Sequence, residues 1–146
     1  MGFPEPQPGL VISYSFLWSE EAEQGQVEGR KDRPCAIVVA LDGAEASRPK
    51  HVAVVPITHS RPIDPDVAIE IPRRVKEYLG LDSERSWAIL DEFNVFAWPG
   101  YDLRPIREKD GRIEYGFLPP RLFNQIIEMI RRLDEQDAIT RTSREV

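Results

Sequence analysis

From residue 10 to residue 117 the chain offers one short apolar or β-branched run after another, with hardly a stretch between them that could form a crossover helix. Parallel strands need a return connection of a dozen or more residues, usually helical. The run spacing therefore predicts antiparallel pairing. Residues 10–17 read as a first strand. Residues 35–41, Cys-Ala-Ile-Val-Val-Ala-Leu, and residues 51–57 are continuous apolar runs of the kind that is buried on both faces. Pro56 places the end of the second run near an edge or bulge.

Shorter runs follow at residues 67–71 and 86–93, the latter continuing irregularly to Trp98. Asp110-Gly111, between runs 103–107 and 112–117, is a hairpin signal. Residues 72–79 suit a short helix, with Pro72 in its first turn and Gly80 as its stop. The clearest helix is 119–133, where Leu122, Ile126, Met129, Ile130 and Leu133 recur at steps of three or four and form one stripe. The expected fold is mainly β with α, a small antiparallel barrel capped by its C-terminal helix.

A length of 146 residues fits one domain, expected over 1–133, with 134–146 as a polar, frayed tail. Residues 18–32 are polar, contain Gly25 and Gly29, and read as a long loop of the functional sort. No apolar run approaches the roughly 18 residues of a membrane span, and residues 1–9 lack a basic-then-apolar leader. The expectation is a soluble, cytoplasmic protein without a membrane partner. Cys35 is the single cysteine, so a disulfide or thiolate cluster within the chain is excluded. It reads as a small core residue. With only His51 and His59, a histidine-rich metal site is not expected, and no cofactor is implied.

The net charge is −6, which by itself argues against a polyanionic partner. Its distribution matters more. Arg30, Lys31, Arg33, Arg48, Lys50 and Arg61 crowd residues 29–61, against Asp32, Asp42 and Glu45. Acids gather outside, at Glu20, Glu21, Glu23 and Glu28 and at Asp134, Glu135 and Asp137. A local basic surface on an acidic protein is compatible with this pattern.

Three separated segments resemble, in order, the MazF/PemK growth-inhibitor toxins. The first is Pro8-Gly9-Leu10-Val11-Ile12, leading to Glu28-Gly29-Arg30-Lys31-Asp32-Arg33-Pro34 and an apolar strand. The second is Val54-Val55-Pro56-Ile57-Thr58-His59-Ser60, and the third is Ala88-Ile89-Leu90-Asp91-Glu92-Phe93-Asn94. The helix after Pro119-Pro120 falls where that family has its last one, so the likeness spans about residues 8–133. There are departures. Glu28-Gly29 stands where Glu-Gln is usual, Val27 where some members carry histidine, Ile89 where some carry arginine and Glu92 where glutamine is usual. Residues 98–115 are longer.

The resemblance implies an SH3-like barrel of the CcdB/PemK kind and metal-independent cleavage of single-stranded RNA. The ribose 2′-hydroxyl attacks the neighbouring phosphate, leaving 2′,3′-cyclic phosphate and 5′-hydroxyl ends. It also implies a type II toxin that works as a homodimer and is restrained by a cognate antitoxin. That partner would lay an acidic, partly disordered tail over Arg30, Lys31 and Arg33. Arg33 and Thr58 are the implied catalytic pair. Guanidinium offers planar, paired donors to phosphate, and a hydroxyl can donate to the same oxygens.

Further candidates for catalysis or RNA binding are Glu28, His59 and Asp91. An imidazole suits general-base work, although neighbours on a strand face opposite ways. Glu28 could serve as base from the loop, and Asp91 could orient Arg33 or touch RNA. Arg30, Lys31, Trp18 and Trp98 are candidate RNA contacts, the tryptophans by stacking on bases. The rival reading is a non-catalytic interaction protein on the same barrel, either a gyrase poison like CcdB or an inactive family member.

Overall fold

The computed structural model describes residues 2–26, 29, 31–42 and 50–144. Among them the chain runs β1 (Leu10–Tyr14), α1 (Ser19–Glu23), β2 (Arg33–Leu41), β3 (His51–Thr58), β4 (Ala68–Glu70), α2 (Arg73–Leu79), β5 (Trp87–Ile89), β6 (Glu92–Ala97), β7 (Glu114–Phe117), α3 (Pro120–Glu135) and β8 (Thr140–Ser143). The strands join in the order β4-β5-β3-β2-β1-β7, with β6 also on β3 and β8 on β6. Every pair is antiparallel except β6 with β8. The antiparallel expectation holds. The pairing ends at β4 and β7 and does not close on itself, so it defines a mainly antiparallel sheet rather than a closed barrel.

The two longest apolar runs pair with each other, Cys35 opposite Pro56 and Leu41 opposite His51. Period-two alternation splits their side chains between two cores. Ala36, Val38, Val55 and Ile57 join Val11 and the α3 stripe of Leu122, Ile126 and Leu133. Cys35, Ile37, Val52 and Val54 join Ile12, Tyr14 and Phe96. Each fully buried Leu, Ile or Val contributes about 1.5–3 kcal/mol. Burial raises the Cys35 thiol pKa, as expected for a core residue.

β3 divides its other edge. His51–Val54 face β6 and Ile57–Thr58 face β5, with Val54 opposite Asn94 and Ile57 opposite Ala88. Val55 and Pro56 thus stand against residues 89–93, and the longer segment bulges outward. Proline has no N–H to extend the ladder, and a bulge is the usual answer to such a break. The bulge carries Asp91.

Three expectations change. Residues 18–32 are not all loop, since Ser19–Glu23 form α1. The Trp18 N–H donates to Glu21 Oε1 at 3.1 Å, one half of a capping box, and the Ser19 N–H and hydroxyl donate to Glu92 at 2.9 and 3.1 Å. The Asp110-Gly111 turn exists, with both residues at positive φ. Its arms are tied by a single Ile106 N–H to Arg112 C=O bond of 2.8 Å, without a strand pair of their own. Within the tail, Thr140–Ser143 form β8 on β6, and the Arg144 side chain is only 2% exposed. Its guanidinium donates to the Ser15 carbonyl at 2.7 Å and Asn94 Oδ1 at 3.0 Å, and pairs with Asp102 at 2.9 Å. Asn94 in turn clasps Leu17 with two reciprocal backbone bonds. Polar residues hold this segment through distant partners, which leaves no apolar period to read. Among the described residues, no helix is long and apolar enough to cross a membrane.

Removing one member of a buried ion pair leaves the other uncompensated. We predict that Arg144→Ala costs about 3 kcal/mol of stability, read from the urea midpoint. An unchanged midpoint would show that the tail does not anchor the sheet.

Candidate functional site

β2 opens on Arg33 and β3 closes on Thr58. Carrying their ladder two residues beyond the Cys35–Pro56 pair sets Arg33 across from Thr58. Both line two adjoining grooves, as does Lys31. One, of about 630 Å³, also holds His59, Lys76, Asp82 and Tyr115. The other, of about 430 Å³, holds Trp18, Ile63, Asp64 and Asp91.

Arg33 is half-buried, with its guanidinium 5.4 Å from the centroid of the Trp18 ring. Such a contact contributes about 0.5–1 kcal/mol, more when desolvated. Burial pushes the Arg33 pKa down, against the opposing influence of Cys35 and Glu21. Its Nε is buried without a hydrogen-bond partner among the described residues. A buried donor left so costs about 1–3 kcal/mol. Trp18 is itself braced edge-on by Phe16, with 5.2 Å between centroids.

Thr58 is buried, and its Oγ1 accepts the Ser60 N–H at 3.1 Å. One lone pair is thereby held and the hydroxyl proton left to donate. His59 lies past the end of β3, so strand alternation does not separate it from Thr58, and both line the larger groove. The imidazole Nε2 lies 2.6 Å from Asp82 Oδ2, and Nδ1 lies 3.4 Å from Glu84 Oε2. These three residues bring candidate ligand atoms within 4.8 Å of one another. The Lys76 ammonium, 2.7 Å from Asp82 Oδ1, already supplies a cation there and would repel a divalent ion beside it.

Asp91 is half-buried on its bulge, and burial raises its carboxyl pKa. No hydrogen bond or ion pair joins it to Arg33 among the described residues. Trp98 lines neither groove. It stacks on Phe96 at 6.2 Å and packs against the second core cluster, away from the Arg33–Thr58 end. Glu28 and Arg30 lie outside the described residues.

Several site residues carry signals too weak to single out from sequence. Glu21 braces Trp18 from the third position of α1, but an aromatic N-cap hides the capping pattern. Lys76, 4% exposed, donates to Asp82, Ser86 Oγ and the Glu84 carbonyl, three acceptors for three donors. Ser13 and Tyr115 line the larger groove as well. Neither a protein-family model nor a curated protein matches this chain.

The Asp82 carboxyl is pushed up by burial, but the Lys76 and His59 contacts outweigh that and hold it below the ordinary 3.8. A depressed folded pKa contributes stability that is present above the unfolded value and is lost as pH falls through the folded one. We predict that Asp82→Asn is less stable than the parent at pH 7. The gap should narrow as pH drops from 3.8 through the lower folded value, as followed by thermal melts. A gap independent of pH would assign it to packing instead.

Proposed function

We propose that this protein is a metal-independent endoribonuclease that cuts single-stranded RNA, the toxin of a type II toxin–antitoxin pair of the MazF/PemK kind. The observation that carries the reading is Arg33 across from Thr58 at a groove mouth, with its buried Nε lacking an acceptor. On this reading the open, mainly antiparallel sheet stands where the family has its SH3-like barrel, and the protein acts in the cytoplasm as a homodimer. RNA crosses the dimer face, and two copies of the Lys31–Arg33 patch meet about a two-fold axis. The antitoxin competes with an acidic tail for the same cations.

The chemistry then follows from charge. The 2′-hydroxyl oxygen bonds to phosphorus, the 5′-oxygen leaves, and negative charge grows on the non-bridging oxygens. Arg33 donates to those oxygens through its fork, and Thr58 Oγ–H donates beside it. On this reading His59, held on Asp82 through Nε2 in the same groove, accepts the 2′-hydroxyl proton at Nδ1, and water protonates the departing 5′-oxygen. Lys31 meets a flanking phosphate, and Trp18 offers ring surface to a base while keeping Arg33 aligned.

Incubating single-stranded RNA with the protein in excess EDTA, followed by end-group analysis, tests the reaction. We expect 5′-hydroxyl and 2′,3′-cyclic phosphate ends. Loss of a preorganised donor at developing charge costs about 10²–10³-fold in rate, and we predict a fall of that order for Arg33→Ala, with little recovery in Arg33→Lys. RNA left intact by the parent protein would favour the non-catalytic interaction reading. Cleavage that survives Arg33→Ala would move the chemistry elsewhere.

A further inference from the structure

The smaller groove contains a contradiction for a polyanion site. Lys31, Arg33 and Thr58 lie along it, yet Asp64 and Asp91 line it too. A carboxylate repels any phosphate passing near it, so these two must face some other part of the ligand. Asp91 is also half-buried, and no hydrogen bond or ion pair joins its carboxylate to another described residue. Burying an acid without a partner is costly. Asp64 has one oxygen occupied by the Asp66 N–H at 2.9 Å, leaving the other available.

Trp18, Pro62, Val67, Ile89 and the fully exposed Ile63 give the groove an apolar wall, with Ser60 and Arg61 beside it. It is also rigid. The Asp91 carbonyl accepts from the Thr140 N–H of β8 at 2.9 Å, and the Leu90 N–H donates to the Val67 carbonyl at 2.8 Å. A flat apolar ring with N–H donors on one edge satisfies both halves of this groove, and a nucleobase is such a ring. Guanine presents N1–H and N2–H side by side, a match for the two oxygens of one carboxylate. Cytosine and adenine offer an amino group. Uracil offers one N–H between two carbonyls, whose oxygens a carboxylate repels.

We propose that the Trp18–Asp91 groove is a nucleobase pocket that selects a base with amino donors on its Watson–Crick edge, guanine foremost, and rejects uracil. Asp91 is the specificity-determining residue and Asp64 assists it. This rests on the RNA reading above and names which strand positions that site accepts.

Uncleavable 2′-O-methyl pentamers, UUGUU, UUCUU, UUAUU and UUUUU, with a fluorescein label, test it by anisotropy on the full-length protein. A bidentate contact discriminates by a factor of about ten or more. We expect UUGUU to bind about tenfold more tightly than UUUUU. Asp91→Asn should bring the two within about twofold, with UUUUU binding as well as before or better, since a repulsive charge has gone. Asp64→Asn, on an exposed turn, should narrow the preference without abolishing it. Arg33→Ala should weaken all four pentamers alike. Equal binding of UUGUU and UUUUU by the parent protein, or a preference that survives Asp91→Asn, overturns the pocket and leaves the RNA reading standing. If no pentamer binds even at low salt, the RNA reading falls and takes the pocket with it.

Discussion

Pro56 is the residue around which the rest of the structure is arranged. β3 carries β2 along one whole edge, and on the other it carries β6 before the proline and β5 after it. A residue without an N–H cannot extend the ladder, so the segment opposite leaves the sheet as a bulge and rejoins it with its register moved. The fork that results separates the β4–β5 arm from the β6–β8 arm. It sets Thr58 at the end of β3, facing Arg33 across the ladder, and it places Asp91 on the bulge beside the smaller groove. Both grooves therefore depend on a covalent property of one side chain.

The same arrangement reconciles an acidic protein with a cationic site. Net charge is a global quantity, and at physiological salt exposed charges influence one another over only about 8 Å. Many cations here are engaged locally. Lys50 pairs with Glu5, Lys76 with Asp82, Arg85 with Glu70, Arg104 with Asp32 and Arg144 with Asp102. Lys31 and Arg33 have no carboxylate within ion-pair distance among the described residues. They retain their charge where two grooves join, and the half-buried setting of Arg33 weakens solvent screening there.

What could be read from sequence divides along a physical line. β2, β3 and α3 were legible because burial imposes a period, and their apolar residues repeat it: residues 35–38 and 52–55 alternate between two cores, and Leu122, Ile126 and Leu133 form one stripe. The strand-end positions of Arg33 and Thr58 were legible for the same reason. α1, β8 and the Lys76–Asp82–His59 cluster were not. Each is held by polar partners distant in sequence or by a single turn, such as Ser19 on Glu92 or Arg144 on Asp102. Contacts of that kind leave no periodicity. Trp98 shows what position in sequence leaves out: a tryptophan beside an irregular segment suggests stacking on bases, and in the fold it stacks on Phe96 and packs against the second core, away from both grooves.

Strand termination also explains how consecutive residues come to share one site. Within β3, Ile57 and Thr58 face opposite ways, and a continuing strand would have sent His59 to the far side from Thr58. The strand stops at Thr58 because its hydroxyl takes the Ser60 N–H, which turns the backbone. The turn brings His59 round to the same groove, where it meets Asp82 and Glu84 from the loop between α2 and β5. Asp82 is fixed in its turn by the buried Lys76 of α2. The groove thus has one wall built on the forked sheet and another built on a helix and the loop that follows it. Thr58 belongs to both grooves, as the hydroxyl that ends the strand and shares each groove with Arg33.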